Sequence, residues 1–279
     1  MTSDAAAPVT IAPGVVRLTA PNPGPMTGAG TNSYVIEDPE GLILIDPGPA
    51  LAPHIDRLVA HADGRLRAIL VSHTHRDHSP AALPVAARTG ATVYGMRPPA
   101  TPENDDQFRP DVVLAHEQRI TVGAQTVLAI HTPGHASNHV CFLHEQTGLL
   151  FTGDHIMNGS TVVIAAPDGN MQAYLQSLAL LKDYAPKTIA PGHGEPLDDP
   201  NRVIDWIINH RLEREAKVVD RLGRFGPCDL EALVREVYDE VDPMLWPIAR
   251  YSLAAHLEKL RAEGRAAVDD ATWTLTTSS

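Results

Sequence analysis

Short apolar runs, many bounded by glycine or proline, dominate the first two hundred positions. Gly14–Ala20 alternates in part between apolar and polar side chains, and Ser33–Glu37 is short and β-prone. Gly41–Asp46 (GLILID) is apolar enough for a strand buried on both faces. Ala52–Ala62 switches to helical spacing, with Ile55, Leu58 and Val59 on one face. Arg67–Ser72 reads as another buried strand and Pro80–Arg88 as another helix. This β–α–β–α rhythm predicts an α/β domain. Strands return at Ala91–Tyr94, Gln125–His131, His139–Leu143, Gly148–Phe151 and Thr161–Ile164. A helix over Asn170–Tyr184 and a short strand at Thr188–Ala190 follow. Many strands with helices interspersed predict two sheets packed face to face, with helices outside both.

The pattern changes after Pro200. Asn201–Leu222 is a long amphipathic helix rich in charge, broken at Phe225-Gly226-Pro227. Helical stretches at Leu230–Tyr238 and Trp246–Gly264 precede two short strands, Ala266–Asp269 and Thr272–Leu275. Three helices and a β-hairpin form the layout of a winged-helix module. The expected division is therefore residues 1–200 as one domain and 201–279 as a linker helix with a winged-helix-like domain. Beyond Thr2–Ala7 no low-complexity tract appears, and there is no internal repeat.

Composition adds constraints. A hydrophobic fraction of 43% with 5% aromatic residues implies a core filled mainly by aliphatic side chains. A net charge of −12 disfavours loose attraction to membranes or nucleic acid. The residues from 201 onward carry 11 Lys and Arg against 14 Asp and Glu, so the appended module lacks the basic footprint usual in DNA binding. A packing or dimerising role is the expectation, with His256, Arg211 and Arg214 as surface or packing residues. Cys141 and Cys228 show no CxxC-type spacing, which fits a reducing compartment. No secretion signal is visible over Met1–Ala20 and no window approaches a membrane helix, so a cytoplasmic location is expected.

The candidate chemistry lies in Ser72-His73-Thr74-His75-Arg76-Asp77-His78, directly after an apolar strand. Three imidazoles and a carboxylate crowd within six residues, an arrangement that a divalent cation stabilises and that suits Zn²⁺. Three further strand ends carry matching donors: His135 in His131-Thr132-Pro133-Gly134-His135, Asp154 in Phe151-Thr152-Gly153-Asp154, and His193 in Pro191-Gly192-His193-Gly194. Each donor alone would be an ordinary turn residue; four repeats of one arrangement point to a metal site.

On these residues the chain resembles the metallo-β-lactamase superfamily over positions 14–200. The resemblance implies an αββα sandwich, an α/β (α+β) fold, with a dinuclear site at one sheet edge. It implies that His73, His75 and His135 bind one zinc ion, that Asp77, His78 and His193 bind the other, and that Asp154 bridges them. Manganese and iron accept similar ligands. Leu44-Ile45-Asp46-Pro47-Gly48 matches the family's first motif, in which the acid orients the metal loop without ligating. The implied chemistry is hydrolysis by a hydroxide held between the metals, since a bound zinc lowers the pKa of water from about 15.7 to about 7. Asp77 and Asp154 are the catalytic candidates on the protein side. Asp77 is also a candidate proton donor to the leaving group, as is His139 through its place after the His135 turn.

True β-lactamases of the superfamily usually carry Cys or Ser where this chain has Asp154, so antibiotic hydrolysis is expected to be weak at most. The C-terminal stretch resembles the winged helix of the subfamily that includes the mitochondrial β-lactamase-like endoribonuclease. The matching pieces are His210-Arg211, Arg214-Glu215 and Ala254-Ala255-His256-Leu257-Glu258-Lys259-Leu260, with Gly30-Thr31-Asn32-Ser33-Tyr34 and Gly159-Ser160-Thr161 in the first domain. The expected function is hydrolysis of a small-molecule ester, thioester or lactone, with the appended domain walling the site. The alternative is a single-strand-specific endoribonuclease with RNA as partner, using the same metals. An oxidoreductase on this fold would be expected to carry Glu in place of His75 and flavin domains.

Overall fold

The computed structural model describes residues 7–276; most of the Thr2–Ala7 tract lies outside that range. The first sheet runs in order β1 (Val9–Ala12), β2 (Val15–Thr19), β3 (Asn32–Asp38), β4 (Gly41–Ile45), β5 (Leu66–Leu70), β6 (Thr92–Gly95) and β7 (Val112–Val113). The second holds β8 (Gln118–Val122), β9 (Gln125–His131), β10 (Val140–His144), β11 (Leu149–Gly153), β12 (Thr188–Pro191) and β13 (Leu197–Asp198), and its order reverses that numbering. Helices α1 (Ala52–Ala62) and α2 (Ala82–Thr89) cover the first sheet. Helix α3 (Met171–Leu181) and the start of α4 (Pro200–Phe225) cover the second.

The apolar runs explain this layering. In β4, Leu42 and Leu44 pack against α1 and α2, while Ile43 and Ile45 face the layer between the sheets. Because strand side chains alternate, a strand covered on both faces must be apolar at every position. On the second sheet Ala129 and Phe142 point inward, and Leu128, Ile130 and Leu143 meet Tyr174 and Leu178 of α3. The two expected sheets, with helices outside both, are the observed αββα arrangement.

Helix α4 belongs to two cores. Ile204 and Ile207 pack on the second sheet, whereas Val218 and Leu222 join α5 (Leu230–Val237), α6 (Trp246–Ala262) and the hairpin β14 (Ala266–Asp269) and β15 (Thr272–Leu275). Ala255 of α6 also joins the core beneath the second sheet. We propose residue 200 as the division of the chain, with α4 as a rigid shared wall.

One expected strand is absent: Thr161–Ile164 forms no ladder. Its carbonyls are taken by side chains instead. Arg211 donates to the Val162 carbonyl and His135 Nδ1 lies 2.7 Å from the Val163 carbonyl. The short edge strands β1, β7 and β13 and the exposed β8 lie outside the apolar runs, being brief or polar on their outer faces.

Candidate metal centre

All seven expected donors converge at one edge of the sandwich, in two clusters. His73, His75 and His135 form one; Asp77, His78, Asp154 and His193 form the other. They arrive from both sheets. The His73–His78 loop leaves β5, His135 follows β9, Asp154 follows β11 directly and His193 follows β12. Hydrogen bonds join the sheets here: Val140 N–H donates to the Ser72 carbonyl and Asn32 N–H to the Gly192 carbonyl. Glycine is required at Gly153, where φ is +45° and a Cβ would lie 2.5 Å from Ser72 Oγ.

In the first cluster His75 Nδ1 lies 3.1 Å from His73 Nε2 and 3.0 Å from His135 Nε2. Burial holds His73 well below the usual imidazole pKa, and the neighbouring rings add to the effect. Burial and the His135 ring lower His75 to about 4. His73 and His75 are therefore neutral at pH 7, the state in which imidazole ligates a metal.

Hydrogen bonds set which nitrogen is bare. Ser72 Oγ donates to Asp46 Oδ2 at 2.7 Å, so its oxygen is left to accept from His73 Nδ1 at 3.0 Å. His78 Nδ1 donates to Asp46 Oδ2 at 3.0 Å, His135 Nδ1 to the Val163 carbonyl, and His193 Nδ1 to the Gly30 carbonyl at 3.2 Å. In four of the five rings the proton is thus held on Nδ1 by a partner outside the cluster, and Nε2 presents a lone pair inward.

The second cluster pairs its imidazoles with carboxylates. Asp154 Oδ1 lies 3.3 Å from both His78 Nε2 and His193 Nε2, while its Oδ2 reaches toward His135 Nε2 at 3.8 Å. Asp77 Oδ2 is 3.2 Å from His193 Nε2. Burial opposes the charging of His78 and His193, but the two carboxylates outweigh it and raise both. The same pairing, against burial, lowers Asp77 and Asp154. His78 Nε2, His193 Nε2 and Asp154 Oδ1 are buried atoms without a hydrogen-bond partner. Inward lone pairs, paired carboxylates and unpartnered buried donors fit two divalent cations, and the mixed nitrogen and oxygen set suits zinc. Asp154 stands between the clusters, its Oδ2 toward His135 and its Oδ1 toward His78 and His193.

Asp46 accepts from Ser72 N–H and Oγ–H and from His78, supporting the loop without facing the cavity. His139 differs from expectation. It is fully buried behind His73, ring centroids 5.0 Å apart, with Nδ1 on Thr132, and does not reach a leaving group. Burial keeps it neutral. Residues assigned no role in the sequence hold the His193 loop: Asn32 Nδ2 donates to the carbonyls of Pro191 and Gly194, and Tyr34 Oη to that of Pro191. Their signal was the GTNSY run itself. Arg211 and His256 are buried packing residues.

The clusters open into a cavity of about 340 Å³ lined by His75, Asp77, His135 and Asp154 at its floor. Met26, Met157 and Val162 form walls, and Arg76 and Glu103 stand at the rim.

Comparison with known proteins agrees with this geometry. The family model described as the metallo-beta-lactamase superfamily matches residues 26–193, and that of the beta-lactamase associated winged helix domain matches 230–273. A beta-lactamase-like protein 2 homolog from Drosophila melanogaster is 31% identical over 264 residues, covering 90% of this chain and 89% of its own. An atrochrysone carboxyl ACP thioesterase from Aspergillus chevalieri is 33% identical over 246 residues, 83% of this chain and 75% of its own. A solved metallo-beta-lactamase family protein from Thermus thermophilus superposes with TM-score 0.79 at 20% identity, over 96% of this chain and 100% of that one. The last is a likeness of fold.

Proposed function

The chain belongs to the metallo-beta-lactamase superfamily, and from that premise we propose that it is a dizinc hydrolase of small-molecule thioesters, working in the cytoplasm. The observation that carries this reading is the cavity, which has seven candidate ligands clustered at its floor and apolar side chains around its walls. Such walls suit an organic acyl group better than a polyanion. Thioesters are favoured among the ester-like substrates by the thioesterase names of relatives 33% and 30% identical. A reducing compartment is supported by Cys141 and Cys228, both free thiols. Among the described residues no helix is long and apolar enough to cross a membrane.

When bound, the cations supply an acidified water and an electrophile for the carbonyl oxygen. The protein supplies position. His73, His75 and His135 would hold one cation, Asp77, His78 and His193 the other, with Asp154 between them. Asp77 lines the cavity with its carboxylate ionised, placed to accept the proton of an attacking water. Water adds to the carbonyl carbon, the C–S bond breaks, and an acid and a thiol leave. A thiol of ordinary pKa near 8.5 departs as thiolate with little help. A dedicated acid is unnecessary, which suits a cavity that His139 does not face.

The test is a parallel assay of the zinc-loaded protein on acyl thioesters, lactones, β-lactams and single-stranded RNA. Thioesters should turn over fastest, and Asp154→Ala should abolish turnover and lower metal content in a folded protein. Cleavage of RNA with thioesters untouched, or thioester turnover surviving metal removal, would overturn the reading.

A further inference from the structure

The catalytic cavity has a neighbour. A second hollow of about 460 Å³ lies between the two domains and shares Met26, Met157, Val162 and Val163 with the first. Shared lining residues make the two one continuous groove, running from the metal floor to α6 and the segment before it. Val241, Leu245 and Ile248 wall the far end. Met26 at 52% exposed, Leu245 at 51% and Ile248 at 38% are large apolar side chains left in contact with solvent around this hollow. Leaving such side chains wet is unfavourable unless something covers them.

The polar groups of the groove point to what covers them. Arg211 is buried and donates to the Val162 carbonyl, with its guanidinium 5.5 Å from the Tyr174 ring centre. Arg214 donates to the Val237 carbonyl, pairs with Glu240 at 2.6 Å and lies 4.2 Å over the Tyr238 ring. Both cations in the wall are thus engaged by the protein, and neither is left for a phosphate chain. A nucleic-acid strand laid here would find apolar carbon where it needs charge. The cation without a carboxylate partner near the metal floor is Arg76, exposed at the opposite rim of the cavity and in no ion pair among the described residues. Its Nε reaches only the Pro102 carbonyl, at 3.4 Å.

Building on the thioester reading, we infer that this interdomain groove is the acyl-chain subsite. The carbonyl sits over the metal floor, the apolar chain runs toward Leu245 and Ile248, and the thiol carrier leaves past Arg76. The appended domain is then a specificity element, since it supplies the distal wall. Chain length is read by how much of that wall is covered. Each buried methylene strengthens binding about threefold to fourfold, so an eight-carbon chain should bind at least about tenfold more tightly than a two-carbon chain, even in a half-open groove.

Two measurements on the full-length, zinc-loaded protein test this. The first is calorimetric binding of uncleavable thioether analogues of acetyl- and octanoyl-coenzyme A, in which a methylene separates sulfur from carbonyl. The wild type should prefer the octanoyl analogue at least tenfold, and Ile248→Asp and Leu245→Asp should bring that ratio near one. Ile248→Trp, which fills the groove, should move the preference to shorter chains. Equal affinity for the two analogues in the wild type, or a ratio unchanged in all three folded variants, overturns the inference. The second measurement is the kcat/KM ratio for the matching thioesters, which should follow the same pattern. If the chain-length preference appears in binding while no thioester is cleaved, the groove stands and the thioester reading falls.

Discussion

Asp46→Asn isolates the support of the His73–His78 loop from the candidate metal ligands themselves. The Asp46 carboxylate is 2% exposed and accepts three hydrogen bonds: from Ser72 N–H at 2.7 Å, Ser72 Oγ–H at 2.7 Å and His78 Nδ1–H at 3.0 Å. An asparagine keeps its oxygen for Ser72 N–H but turns an amide toward two groups that are themselves donors. His78 must then accept at Nδ1, which moves its proton to Nε2, into the cluster where a lone pair is needed. Ser72 Oγ, no longer anchored, also releases His73 Nδ1. Hydrogen bonds to a charged group contribute roughly 1.5–3 kcal/mol each, so about 3–6 kcal/mol is at stake, shared between folding and metal binding. Loss of an outer partner of a ligating histidine typically costs about 10–100-fold in metal affinity, or about 1.4–2.7 kcal/mol. Zinc competition against a chromophoric chelator measures this, with thermal unfolding in excess chelator reporting the remainder. Wild-type zinc affinity in a folded Asp46→Asn protein would refute the assignment of proton positions.

Three other outcomes are expected. Gly192→Ala places a Cβ 2.7 Å from His78 Cε1 and 2.9 Å from Asp154 Oδ1, so metal content should fall by about one ion per chain while the circular dichroism spectrum is retained; full metal content would count against the second cluster. The raised His78 and His193 pKa values mean that a metal must displace two protons. Their stabilisation of the metal-free fold is complete below about pH 6.5 and is lost as pH rises through the raised values. Metal affinity should accordingly climb with pH by up to about two decades per unit, and continue past pH 6.5, where free imidazole levels off. Calorimetry in buffers of different ionisation enthalpy would show the released protons, and a flat profile would contradict the pairing. Arg211→Ala strands the buried Val162 carbonyl and uncovers Tyr174, for an expected loss of about 2–4 kcal/mol in chemical unfolding.

Much of the site was legible because its donors sit where the chain's apolar runs end. A run such as Arg67–Ser72 shows where a strand stops, and a histidine just past that stop is held by the sheet behind it. Hydrophobic pattern and ligand spacing therefore agree on His73, His75, His78, His135 and His193. What spacing does not encode is depth. His139 lies a few residues from His135 and looks equally available, yet the turn sends it behind His73. Thr161–Ile164 has the composition of a strand, but in the fold its Val162 carbonyl is taken by Arg211, 49 positions away. Asn32 and Tyr34 were visible as part of a motif, but their role needed the His193 loop brought beside them. Long-range contacts of this kind leave no periodic signal in a single sequence.

The segment that failed to become a strand also joins the two domains. Val162 is fixed from the C-terminal side by Arg211, and Val163, the next residue, fixes the ring of His135 from the other. One extended stretch thus carries a contact to the long shared helix and a contact to a candidate metal ligand within two positions. Val162 and Val163 line both hollows of the groove. Arg211 of α4 holds the Val162 carbonyl and the next carbonyl orients His135, so one short stretch links the long helix to an imidazole of the first cluster.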